Sequence, residues 1–132
     1  MRRTAAVLGF VLAGMTACTP APSPSTADVP NYVVFFTPWS ADLDDPAQSV
    51  VLNAARAAQA APGQPVLVEG YADFTVGSTQ ANRDLTRLRT QHVADSLAQH
   101  GVAAGRIQLR PRTASGGDPG VESRRVVIAI GS

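Results

Sequence analysis

The chain has no lysine, and all 11 of its basic residues are arginines. Its cationic chemistry therefore rests on planar guanidinium groups, which suit two-point recognition of a carboxylate or phosphate better than point-charge attraction. Charge of either sign is sparse, at 16% of 132 residues with a formal net of +1. That balance excludes the broad positive field by which nucleic-acid binders neutralise phosphates. The one cysteine, Cys18, leaves no internal disulfide to form, and without clustered partner ligands it builds no structural zinc site. The apolar stretch within TAAVLGFVLAGMTA, residues 4–17, falls short of the roughly 20 residues a membrane-crossing helix needs. His92 and His100 accompany no nucleophile motif and no metal-ligand spacing. Gly77-Ser78-Thr79 lacks the Gly-Lys of a phosphate-binding loop. These absences point away from catalysis, metals and cofactors.

What is present begins with Met1-Arg2-Arg3, a short apolar segment and small residues, which read as a secretory leader over residues 1–17. Removing it takes Arg2 and Arg3 away and shifts the formal charge from +1 to −1. Met15-Thr16-Ala17-Cys18 resembles the lipobox of bacterial lipoproteins, with Met15 where leucine is usual. The resemblance implies acylation of Cys18, the alternative being a free thiol beside an ordinary leader cleavage site. The following TPAPSPSTADVP completes a segment, residues 18–30, whose Pro/Ser/Ala composition does not pack and serves as a semi-extended spacer.

Residues 31–132 then carry the pattern of one domain with a modest core. YVVFF from Tyr32 predicts a strand buried on both faces, ended by Thr37-Pro38-Trp39. Asp45 as cap, Pro46 at the first helical position and Gln48 three after the cap predict a helix to about Ala60. Its stripe, Val50, Val51, Ala54, Ala57 and Ala58, is small enough to lie close to a sheet. PVLVEGY at 65–71 predicts a second buried strand, and a second helix should run from near Thr79 to roughly His100, closed by Gly101. RIQLRPR at 106–112 alternates like a half-buried strand, with Pro111 marking an end or an edge. RRVVIAI is the last strand. The order βαβαββ predicts an α/β (α+β) two-layer sandwich, a mixed sheet with both helices on one face.

On the second helix, Ala81, Leu85, Leu88, Val93 and Leu97 share one arc, while Arg83, Asp84, Arg87 and Gln91 fall outside it. Asn82 and Arg89 fall inside. An inward guanidinium needs a strong acceptor, and the candidate is Asp73, just beyond the carboxyl end of the second strand, where open α/β sheets place ligands. The geometry leaves three readings open, an Asp73–Arg89 pair lining a ligand pocket, the same pair closed as a structural salt bridge, or an aspartate satisfying loop amides, with Asn82 a cap or core polar group in the last two. Trp39 and the aromatics of YVVFF fit a core or pocket wall better than a stacking platform for bases.

The run GYAD, Gly77, Asn82, Leu85-Thr86, Arg89 and Val93 resembles the OmpA-like peptidoglycan-binding domain. The likeness extends upstream to Phe35-Phe36 and Ser40 to Leu43, and downstream to Gly101-Val102 and Arg124-Arg125-Val126, covering most of residues 31–131. With the lipobox and spacer, the whole chain looks like a small lipoprotein of the peptidoglycan-associated type. The resemblance implies that Asp73 and Arg89 clamp the diaminopimelate of the peptidoglycan stem peptide, with Asn82 in the same site, and that the protein is a non-enzymatic tether between outer membrane and cell wall. The chain departs from the family pattern in one extra residue between Asp73 and Gly77, in Thr37 where an acidic residue is common, and in Ser123 where asparagine is usual. A domain that had lost wall binding would instead be an interaction subunit for other envelope proteins.

Overall fold

The computed structural model of the chain describes residues 30–72, 79–113 and 121–131. The expected leader, Cys18, the spacer up to Val29, and Asp73 lie outside the described residues. The order is β1 (Asn31–Phe35), α1 (Asp45–Ala60), β2 (Val66–Ala72), α2 (Thr79–Gln99), β3 (Ile107–Thr113) and β4 (Arg125–Ile130). Short 3-10 turns at Ala104–Arg106 and Val121–Arg124 precede the last two strands. The sheet order is β1-β4-β2-β3, antiparallel except for the parallel β2–β3 pair. This is the expected mixed sheet in a two-layer α+β fold.

Alternation along the strands decides what meets the helices. Val66 and Val68 of β2 and Val126, Ile128 and Ile130 of β4 form one buried cluster with Ala47, Val51, Ala54 and Ala58 of α1 and Val93 and Leu97 of α2. Both helices therefore cover the same face. Because the buried side of α1 is four alanines and a valine, with Ala55 the remaining one, its axis can approach the sheet closely.

Two expectations at the start of the domain need correction. YVVFF is not buried on both faces: β1 pairs only with β4, and in it Val34 is buried while Phe35 is exposed. An edge strand in a two-layer fold has only one covered face, so continuous apolarity here does not report double burial. The cap of α1 is Asp44, whose carboxylate accepts from the Ala47 amide at 2.9 Å, one residue earlier than the sequence suggests. Gln48 does not close a capping box but donates to the Leu43 carbonyl at 2.9 Å.

The far ends are tied by side chains and by glycine. Arg106 donates from Nε to the Gln64 carbonyl and from Nη2 to the Ala58 and Ala61 carbonyls, each at 2.9 Å. It thereby adds a charged donor to carbonyls at the end of α1 whose backbone bonds, from the Ala61 and Gln64 amides, are long at 3.3 Å. Gly101, at φ 94°, stops α2 as expected, with the Val102 amide reaching back to the Leu97 carbonyl at 3.0 Å. Pro111 sits within β3, an edge strand, where a missing amide is tolerated. No helix among the described residues is long and apolar enough to cross a membrane.

Candidate functional site

The site is set by how α2 is rotated on the sheet. A Cβ at Gly70 of β2 would come within 2.5 Å of Thr90 Cγ2 and 2.9 Å of Thr86 Cγ2, so glycine is what permits the helix to sit there. The threonine hydroxyls bond within the helix, Thr86 Oγ1 to the Asn82 carbonyl at 2.8 Å and Thr90 Oγ1 to the Thr86 and Arg87 carbonyls at 3.0 and 2.8 Å. Thus satisfied, these side chains turn their methyl groups to the strand and behave as apolar. The inward face of α2 is accordingly Asn82, Thr86, Arg89, Thr90, Val93, Ala94 and Leu97. This corrects the apolar arc read from the sequence: Ala81 and Leu88 are exposed and Leu85 is half-buried, whereas Val93 and Leu97 are buried as expected.

Arg89 does face inward, with only 4% of its surface exposed. Its Nε donates to the Ser40 carbonyl at 2.7 Å and its Nη2 to the Thr37 carbonyl at 3.1 Å, both in the segment joining β1 to α1. Its guanidinium carbon lies 5.2 Å from the centre of the Phe36 ring, in cation–π range. One helical turn on, His92 bonds through Nδ1 to the Ala41 carbonyl at 2.6 Å. A carbonyl only accepts, so Nδ1 carries the proton. Two side chains of α2 thus hold the carbonyls of residues 37, 40 and 41.

None of these acceptors carries a charge. Among the described residues no carboxylate pairs with Arg89, and the charge that acts on it is a second cation, Arg124. Burial first, and then Arg124, push the Arg89 pKa down to about 10. The group stays charged at neutral pH, but the fold does not compensate that charge with an anion of its own among these residues. The two bonds to the loop use Nε and Nη2, and Nη1 makes no hydrogen bond among the described residues. The end-on edge formed by Nη1 and the remaining Nη2 proton has the geometry to receive both oxygens of a carboxylate.

Of the residues singled out in the sequence, Asn82 and Arg89 come together on one buried face of α2, seven positions and therefore roughly 10 Å apart along the axis. Asp73, which follows the last residue of β2, and the acylation candidate Cys18 are outside the described residues. Arg124 enters the sequence reading only through the family resemblance, with no role beside Arg89, because nothing in its spacing brings the end of a 3-10 turn into the field of that residue. Pattern reading missed the carbonyls of Thr37 and Ser40, because a backbone acceptor has no sequence signal. His92 is half-buried, and its bond to the Ala41 carbonyl has no signal in the sequence. Trp39 is 64% exposed, so it is no part of the core. No cluster of three or more potential metal ligands occurs among the described residues.

Comparison with known proteins agrees with this architecture. The chain is 34% identical over 96 residues to outer membrane protein 40 of Porphyromonas gingivalis, covering 70% of this chain and 25% of that one. It thus spans about a quarter of the length of that relative. Among solved structures, the peptidoglycan-associated lipoprotein of Burkholderia pseudomallei superposes with a TM-score of 0.65 at 22% identity, over 75% of this chain and 89% of that one. The cell wall anchor of the T6SS from Pseudomonas aeruginosa does so with a TM-score of 0.58 at 28% identity, over 74% and 75% of the respective chains. Residues 35–124 match the OmpA family, a span that runs from the end of β1 to the turn before β4 and includes Arg89, Asn82 and Arg124, and the chain belongs to that family.

Proposed function

We propose that this chain is a non-enzymatic peptidoglycan-binding module, in which Arg89 receives a carboxylate of the diaminopimelate residue of the stem peptide and Asp73 accepts from its ammonium. Asn82 lines the same face. The observation that carries this reading is the state of Arg89: a buried guanidinium with its pKa lowered to about 10, held by two neutral carbonyls, in the field of Arg124. Such a group gains more from an incoming anion than an exposed arginine does, because the desolvation is already met in the free protein. Acylation at Cys18 would place the module on the periplasmic side of the outer membrane, and the spacer would let it reach the wall. Envelope proteins are further partners on this reading.

Co-sedimentation with purified sacculi tests the site. Asp73→Asn removes one charged hydrogen-bonding partner, and Arg124→Gln removes the second cation without touching the Arg89 bonds. A charged hydrogen bond is worth roughly 1.5–3 kcal/mol, so Asp73→Asn should weaken binding about 10- to 150-fold. If both folded variants sediment as wild type does, the clamp is elsewhere. If wild type stays in the supernatant, wall binding is refuted and a role as an interaction subunit replaces it. Uptake of labelled palmitate by wild type and not by Cys18→Ser tests the anchor separately, since more than one acyl chain is needed for stable membrane attachment.

A further inference from the structure

Trp39 is the chain's single tryptophan. It lies at φ 59°, the one positive φ of a non-glycine residue among the described residues, and its side chain is 64% exposed. A bulky side chain is disfavoured in that left-handed conformation, where glycine or asparagine would be at ease. Strained backbone of this kind persists where the surroundings over-determine it, and here they do. Arg89 bonds the carbonyls on either side, at Thr37 and Ser40, and His92 bonds the next, at Ala41. Ser40 Oγ receives the Asp42 amide at 3.0 Å. All of this fixes the backbone that carries an exposed indole, which packs into no core.

We propose that Trp39 is a glycan-stacking residue, its indole face receiving the C–H face of an amino sugar of the peptidoglycan strand while Arg89 holds the stem peptide attached to that strand. The inference rests on the peptidoglycan reading above and extends it from the peptide to the sugar. Position supports it, because the loop that bears Trp39 is the one anchored by Arg89, within two residues of Trp39 on either side. Chemistry supports it, because the electron-rich face of an aromatic ring attracts weakly positive C–H groups and a pyranose presents them on a flat face. A membrane surface is the other flat partner suited to tryptophan. The residues that follow argue against it, since Asp42, Asp44 and Asp45 are all exposed and anionic headgroups would repel them.

The single indole reports on its own environment, so intrinsic fluorescence gives the first measurement. Three probes are used: a disaccharide-tetrapeptide containing diaminopimelate, the same tetrapeptide without sugar, and vesicles of phosphatidylethanolamine with phosphatidylglycerol. The sugar-bearing ligand should shift the emission, and the bare peptide and the vesicles should not. By calorimetry, Trp39→Asn, which suits the left-handed backbone, should lose roughly 3- to 10-fold in affinity for the disaccharide ligand. It should bind the bare peptide as wild type does and melt no lower. Equal loss for both ligands, or no loss for either, overturns the inference and leaves the stem-peptide site standing. An emission shift with vesicles and none with the disaccharide ligand overturns it in favour of a membrane contact. Wild type binding neither peptide ligand overturns the peptidoglycan reading and this inference with it.

Discussion

Replacing Arg89 by lysine keeps the charge and the length of the side chain but not the fork, and the structure says what that should do to the free protein. Two hydrogen bonds from one cation, at 2.7 and 3.1 Å, hold the Ser40 and Thr37 carbonyls. A single ammonium nitrogen on a flexible stem can keep one of them. It cannot span two acceptors three residues apart with the same geometry. The charge is still buried beside Arg124, so no relief of desolvation or repulsion offsets the loss. One charged hydrogen bond then sets the scale, about 1.5 kcal/mol at the low end of its range. For a domain of this size each kcal/mol moves the midpoint by roughly 4–8 °C, so Arg89→Lys should melt about 6–12 °C below wild type. Thermal unfolding followed by circular dichroism, without ligand, measures it. A midpoint indistinguishable from wild type would show that the carbonyl clamp contributes nothing, and that Arg89 is inward for the ligand alone.

Gly70→Ala should force α2 away from β2, since the new methyl would meet Thr90 Cγ2 at 2.5 Å and Thr86 Cγ2 at 2.9 Å. A loss of about 1–3 kcal/mol in urea melts, partly recovered by adding Thr90→Ala, is the expected sign of that contact. Leu97→Ala should cost about 2–5 kcal/mol and Leu88→Ala within about 0.5, because the first is fully buried and the second is 47% exposed; equal costs would contradict the rotation of α2. The lowered Arg89 pKa, about 10, makes a pH prediction of definite sign. Above that value the folded chain has released a proton that the unfolded chain still holds, so the contribution of this group to stability rises with pH. The difference in unfolding free energy between wild type and Arg89→Gln should therefore move in favour of wild type between pH of about 9 and about 11.5.

The architecture was readable in the sequence because each element carries its own boundary signal. The helix ends near Ala60 and at Gly101 and the proline within RIQLRPR all fall as expected. What the sequence conceals is relational. That β1 lies at an edge follows from β4 inserting between β1 and β2, and no local pattern in YVVFF encodes it. The rotation of α2 was misread because Thr86 and Thr90 count as polar until their hydroxyls are seen to bond within the helix. Arg89 was legible as an inward cation from its place on the arc, yet its partners were not, because two of them are backbone oxygens some fifty residues upstream. Arg124 reaches the site only through the fold.

The position of β4 has a consequence for how the protein comes into being. It is the last of the four strands along the chain and one of the two central ones in space, paired on one side with β1 and on the other with β2. Until residues 125–130 arrive, β1 has no strand beside it among the described elements, and the helices have only an incomplete surface to pack on. A chain delivered amino end first, whether from a ribosome or through a narrow pore, therefore cannot complete its domain on the way. It stays open until the final strand is through and then closes around it. In any chain delivered that way, this strand order keeps the domain threadable until its last-made strand has arrived.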